Sequence, residues 1–195
     1  MACKGARMYK LCKTEQSQLR QRQIEQALLD MMLHRRYEDI TVSDLCEALP
    51  IPRKSFYRYF SGKDGALYAL IDHVLLDYLA YEARERLNER DPHSYMEAVC
   101  RYWMGCKSLL DALEKSGMSG ILIQRTIAFT RDLDNYPDFL RTAEKQLQEY
   151  GAMFASCGIA TMMLQWHKDG YTQSVEQMAR LMVRLLSQPL FRVGE

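Results

Sequence analysis

An all-α fold is predicted by three observations. Apolar residues recur at three- and four-residue spacing through most of the chain, no stretch sustains the alternation of a half-buried strand, and only five prolines interrupt 195 residues. The length suffices for one or two domains with real cores.

Taken in order, residues 1–16 read as a flexible basic tail carrying Lys4, Arg7, Lys10 and Lys13. A first helix is expected from about Ser17 to Arg36, with Ile24, Ala27, Leu28, Met31 and Met32 on its apolar face. A short second helix follows. Thr41 is a suitable N-cap, Asp44 stands at the third helical position of a capping box, and Pro50 ends the helix by removing a backbone donor. Pro52 suits the first turn of a third helix running to about Phe60. Ser61 with Asp64 repeats the capping pattern and opens a fourth helix bearing Leu67, Leu70, Ile71, Val74, Leu75, Tyr78 and Leu79, which Asp91-Pro92 breaks.

Further helices are expected over about 93–115, 120–131 and 138–168, the last with a bend at Gly151. Ser116–Gly120 is read as a turn, Asp169-Gly170 as a stop, and Ser174 with Gln177 as the start of the final helix.

Charge is unevenly spread. Residues 1–63 carry 12 Lys/Arg against 7 Asp/Glu, and the remainder 14 against 18, so a basic leading region precedes an acidic body. The stretch EALPIPRKSFYRYF, residues 47–60, concentrates three cations and four aromatic rings just after two prolines. A long helix followed by two short ones across a tight turn is the helix-turn-helix arrangement, whose last helix enters the DNA major groove. Arg53 and Lys54 would open that helix within reach of base edges, with Ser55 beside them. The hydroxyls of Tyr57 and Tyr59 suit phosphate oxygens, and Lys63 suits a phosphate at the next helix N-terminus. Phe56 and Phe60, four apart, would point inward and pin the helix. The same residues also fit an ordinary helical hairpin with solvated cations and core rings.

The run ITVSDLCEALPIPRKSFYRYFSGKDGAL, residues 40–67, resembles the DNA-binding domain of TetR-type transcriptional repressors. The resemblance rests on Thr41, the Leu45-Cys46 pair, Tyr57, Phe60 and Lys63, in spacing as well as type. Two positions depart from the pattern. Pro50 stands where the family usually has a turn glycine, and Leu49 where it usually has a small residue. The resemblance implies that Thr41, Tyr57, Tyr59 and Lys63 hold phosphates and that Arg53, Lys54, Ser55 and Arg58 read bases. It implies a DNA-binding domain over 17–63 and a helical effector-binding and dimerisation domain over 64–195, in a repressor released from a pseudo-palindromic operator by a small molecule. The alternative is a helical ligand- or protein-binding module that has lost DNA binding.

More loosely, GIATMMLQWHKDG, residues 158–170, is similar to the penultimate helix of the family, which pairs with its copy in a second subunit. Gly158, Met162, Met163 and Trp166, with Met178, Leu181, Met182 and Leu185 of the last helix, are the candidate dimer residues. Tyr102, Trp103, Cys106, Met118, Ile123, Ile127 and Phe129 are candidates for an effector pocket, although an aromatic stripe at helical spacing also makes core. No Arg/Lys cluster accompanies them, which favours a neutral or cationic apolar effector.

Other functions lack their signatures. The chain has no G-x-S-x-G, P-loop or H-E-x-x-H motif, and His34, His73, His93 and His167 are far apart in sequence, so catalysis is not expected. Six scattered cysteines without C-x-x-C, and no Cys/His spacing suited to zinc, predict free thiols and no metal or cofactor. No apolar run reaches roughly 18 residues and the N-terminus lacks a secretory core, so a cytoplasmic protein without a membrane partner is expected.

Overall fold

The computed structural model describes residues 8–87, 90–131 and 142–187. The described residues form nine α-helices: α1 Glu15–His34, α2 Val42–Ala48, α3 Arg53–Phe56, α4 Lys63–Arg84, α5 Pro92–Gly105, α6 Lys107–Lys115, α7 Ser119–Arg131, α8 Lys145–Lys168 and α9 Val175–Ser187. A 3-10 turn, Tyr37–Asp39, links α1 to α2.

The helices fall into two compact units. The first holds residues 8–74 together with Asp111–Ser119, and the second holds Leu75–Leu110 with the described residues from Gly120 onward.

In the first unit, Ile24, Leu28 and Met32 of α1 are buried with Leu45 and Cys46 of α2, Phe56 of α3, Phe60, and Leu67 and Ile71 of α4. Ala112 and Leu113 add to this core from α6. The α1 N-cap is Thr14, whose side chain accepts from the Ser17 amide, so the helix starts two residues earlier than its apolar pattern suggests. The capping box at α2 forms as the spacing predicts. The Asp44 amide donates to Thr41 Oγ1 at 3.2 Å, and the Thr41 amide donates to Asp44 Oδ2 at 2.7 Å.

The expected box at α4 does not form. Ser61 Oγ donates to the Met8 carbonyl at 2.9 Å, Asp64 accepts from the Tyr37 hydroxyl, and the first helical carbonyl is that of Gly62. Residues 8–13, expected within a flexible tail, are instead bonded across the unit. Tyr9 bridges antiparallel to Phe60, the Lys10 amide donates to the Tyr59 carbonyl at 2.9 Å, and the Tyr9 hydroxyl donates to Asp72 at 2.5 Å. Gly65 makes this approach possible, because a Cβ there would collide with the Met8 carbonyl oxygen. Residues 1–7, including Lys4 and Arg7, lie outside the described set.

In the second unit, α5 packs against α8 and α9. Its Tyr95, Met96, Val99, Cys100 and Trp103 are buried, as are Met163 and Trp166 of α8 and Met178, Ala179 and Met182 of α9. The helix expected over 93–115 is two helices. α5 ends at Gly105 with Cys106 as C-cap, and α6 restarts with the Leu109 amide bonded to the Cys106 carbonyl. The apolar repeat continues through the break and conceals it. Asp91 caps α5, accepting from the His93 and Ser94 amides. Ser174 and Gln177 form the reciprocal box ahead of α9. The α8 segment expected over 138–141 lies outside the described residues.

Cys46 and Cys100 are buried, and Cys12, Cys106 and Cys157 half-buried; all five are free thiols. Burial pushes the Cys100 thiol up to about 12 and the Cys106 thiol up to about 11, so neither is a ready thiolate. Among the described residues no group of His, Cys, Asp and Glu is arranged to hold a metal ion. No described helix is long and apolar enough to cross a membrane.

Candidate nucleic-acid interface

The candidate interface is built on the short segment after Pro52. α3 is one regular turn, and the chain stays helical beyond it through bonds from the Tyr57 amide to the Arg53 carbonyl, from Arg58 to Ser55, and from Tyr59 and Phe60 to Phe56. This coil separates two faces. Phe56 and Phe60 point inward, with ring centroids 5.3 Å apart and almost no exposure. Arg53, Lys54, Tyr57 and Arg58 point outward, Tyr57 being 51% exposed. Ser55 and Tyr59 are half-buried between the faces. The Tyr57 ring stands edge-on to Phe56 at 5.5 Å, which fixes its direction.

Arg35 pairs with Asp44 at 3.4 Å and Arg36 with Glu38 at 2.6 Å, whereas no ion pair among the described residues involves Arg53, Lys54 or Arg58. Thr41 is exposed at the head of α2. Its hydroxyl oxygen accepts from the Asp44 amide. The Asp44 carboxyl is held below its ordinary range, first by the Thr41 amide and then by the Thr41 hydroxyl, with Arg35 adding to the effect.

Lys63 is placed differently from the other expected contacts. Its Nζ donates to the carbonyls of Tyr37 at 2.5 Å and Ile40 at 2.6 Å, approaches that of Glu38 at 3.5 Å, and lies 4.1 Å from the centre of the Tyr37 ring. Burial lowers the ammonium's affinity for its proton, against the pull of Asp64 and Asp39.

The turn joining α2 to α3 is strained. Leu49 is the C-cap of α2, and Pro50 follows at φ 24°, far from the −65° a proline ring prefers. The Ile51 amide bonds to the Cys46 carbonyl at 3.0 Å, which is the longer bond of a Schellman motif. The shorter bond of that motif needs an N–H at position 50, and proline has none. Glycine supplies both the donor and the positive φ, which accounts physically for the residue type Pro50 replaces.

The other candidate residues fall in separate places. Tyr102 and Trp103 are neighbours on α5 with ring centroids 6.0 Å apart, and Cys106 follows as the C-cap of that helix. Ile123, Ile127 and Phe129 are half-buried on α7, while Met118 belongs to the first unit and not to theirs. Of the candidate dimer residues, Met163, Trp166, Met178 and Met182 are spent in the protomer's own core, with Trp166 Nε1 bonded to the Gln173 carbonyl at 3.1 Å. Gly158 and Leu181 are exposed, and Met162 and Leu185 half-buried. The most exposed apolar residues of α8 lie a turn or more earlier: Leu147, Tyr150 and Phe154, exposed by 56%, 63% and 66%. Their three- and four-residue spacing was legible, but it lay in a helix read from its Met-rich end.

A second site went unread in the sequence. The Tyr78 hydroxyl donates to Tyr95 Oη at 2.9 Å, and the Tyr95 hydroxyl donates to the buried Glu82 at 3.0 Å. Tyr102 packs edge-on to Tyr78 at 5.2 Å and stacks on Tyr81 at 5.4 Å. Burial raises the Glu82 carboxyl above its ordinary range.

Compared with models of protein families, the sequence matches none, and it matches no curated protein. Solved structures do match its fold. The fatty acid degradation regulator FadR from Bacillus halodurans aligns at a TM-score of 0.57 and 13% identity, over 92% of this chain and 98% of that one. The dihydroxyacetone kinase operon activator DhaS aligns at 0.51 and 16%, over 85% and 93%. FadR of Thermus thermophilus, a TetR-family transcriptional repressor in complex with lauroyl-CoA, aligns at 0.50 and 15%, over 90% and 97%. The chain has the fold of TetR-like transcriptional regulators.

Proposed function

We propose that this protein is a sequence-reading, DNA-binding transcriptional regulator that acts as a homodimer in the cytoplasm. The observation that carries the reading is the exposed group Arg53, Lys54 and Arg58, without an ion-pair partner among the described residues, on a helical segment pinned from behind by Phe56 and Phe60. A surface of cations and one exposed tyrosine fits a polyanion with apolar base edges. In this reading Arg53, Lys54, Ser55 and Arg58 address bases, and Thr41, Tyr57 and Tyr59 address phosphates.

Dimerisation is supported by Leu147, Tyr150 and Phe154, an apolar stripe along α8. An operator read by two such subunits is pseudo-palindromic. The expected sign is repression, relieved by a small apolar effector bound in the second unit near Tyr102, Trp103 and Cys106. The lauroyl-CoA held by one structural relative is a precedent for an effector with an apolar tail. A second reading, a helical module without DNA binding, is favoured by one observation, the strained Pro50 in the turn.

The test is selection from a random duplex pool by the purified protein at two salt concentrations. An enriched pseudo-palindrome, bound with a steep linear fall of log affinity against log salt, is expected. Absence of enrichment from the folded protein would favour the second reading. Phe154→Asp should convert the dimer to monomer in sedimentation and weaken operator binding; an unchanged dimer would remove α8 from the interface.

A further inference from the structure

The ammonium of Lys63 is surrounded by the turn between α1 and α2, and its geometry is that of a clamp. It donates to the backbone carbonyls of Tyr37 and Ile40, with that of Glu38 at 3.5 Å, all within four residues of chain. The Tyr37 ring lies under the same charge. Tyr37 is itself held at its backbone and at its hydroxyl. Its hydroxyl donates to Asp64, the residue after Lys63, and the Tyr37 amide donates to Ser116 Oγ at 3.1 Å. The clamped turn ends at Ile40, and the next residue is Thr41, the cap of α2.

To reach a phosphate, the ammonium would have to leave this turn, strip its carbonyls of a charged donor and lift off the ring. We infer that Lys63 is a positioning residue: it holds the 37–40 turn against the head of α4, fixing where Thr41 and α2 stand, and does not contact phosphate. The inference rests on the DNA-binding reading for its consequence, but the clamp itself does not.

The two roles differ in what salt and exchange report. A lost phosphate contact flattens the slope of log affinity against log salt by about 0.9 for each subunit bound. A lost clamp weakens binding at an unchanged slope. The experiment measures operator affinity across a salt series for the full chain, with Lys63→Ala and Lys63→Arg, alongside amide hydrogen exchange of the free proteins over residues 37–45.

For Lys63→Ala we expect about tenfold weaker binding at the wild-type slope, with faster exchange confined to 37–45. Lys63→Arg should behave likewise, because a planar guanidinium cannot set its donors on three clustered carbonyls as a compact ammonium does. A flattened slope in Lys63→Ala with unchanged exchange would overturn the inference, as would full-strength binding by Lys63→Arg. Should Lys63→Ala fail to fold, Lys63→Arg carries both readouts. If the wild type binds no duplex, the DNA reading fails, and exchange alone then decides the clamp: faster exchange over 37–45 supports it and unchanged exchange overturns it.

Discussion

The two compact units place their rings and charges in opposite ways. In the first, the cations Arg53, Lys54 and Arg58 and the Tyr57 ring face outward while Phe56 and Phe60 face in. In the second, the polar aromatic group of Tyr78, Tyr95 and Glu82 is turned inward, and the apolar Leu147, Tyr150 and Phe154 of α8 face out. The first pattern suits a charged partner in water and the second suits an apolar one, because burying a charge is costly and exposing an apolar face is not satisfied by solvent.

The largest expected effect tests the two faces of the first unit. Phe56→Ala empties a fully buried site and should cost roughly 3–5 kcal/mol in a denaturant titration. Tyr57→Ala, one residue along and half exposed, should leave stability within about 0.5 kcal/mol while weakening operator binding. Similar losses of stability in both would abolish the distinction between pin and contact.

Pro50→Gly comes next. It relieves the positive φ and restores the missing Schellman donor, so it should raise stability by about 1–3 kcal/mol. A lowered urea midpoint would mean that proline's stiffness in the unfolded chain outweighs the strain. Operator selection with the same variant would show whether Pro50 also alters the sequence that the protein prefers.

Glu82→Gln probes the inward group of the second unit. The folded carboxyl is raised by burial, so folding favours its protonated form. That contribution is fully present below the ordinary glutamate range and is lost as pH rises through the raised value. Glutamine keeps an acceptor for Tyr95 without the charge. The variant should be more stable than the wild type at neutral pH, by on the order of 1 kcal/mol, and equal to it in acid. A gain that persists unchanged at low pH would assign the effect to packing instead.

The smallest effect concerns Asp44, whose carboxyl is held low by the Thr41 amide. A depressed carboxyl contributes above its ordinary range, and the contribution is lost as pH falls through the folded value. Asp44→Asn should therefore be slightly destabilised at neutral pH and converge on the wild type in acid, as followed by the melting temperature against pH. A difference that is constant across pH would show that the cap, not the charge, matters.

Much of the fold was legible because local rules govern it. Thr41 with Asp44 and Ser174 with Gln177 form their boxes within a single turn, and Phe56 and Phe60 share a face by spacing alone. Two of the misread places involve partners distant in sequence. Ser61 serves Met8 rather than its own helix, and Tyr9 bonds to Asp72. The break at Cys106 was hidden because the apolar repeat keeps its period through it.

The sequence by itself determined that the chain is helical, where most helices begin and end, and which short segment concentrates exposed cations. Those features follow from spacing, capping and proline chemistry, which act over three or four residues. Only the tertiary structure decided which apolar side chains are core and which remain outside. Met163, Trp166, Met178 and Met182 look no different in sequence from an interface, and Leu147, Tyr150 and Phe154 look no different from core. Apolar periodicity reports that a face must be covered. Which element covers it depends on helices brought together from remote parts of the chain.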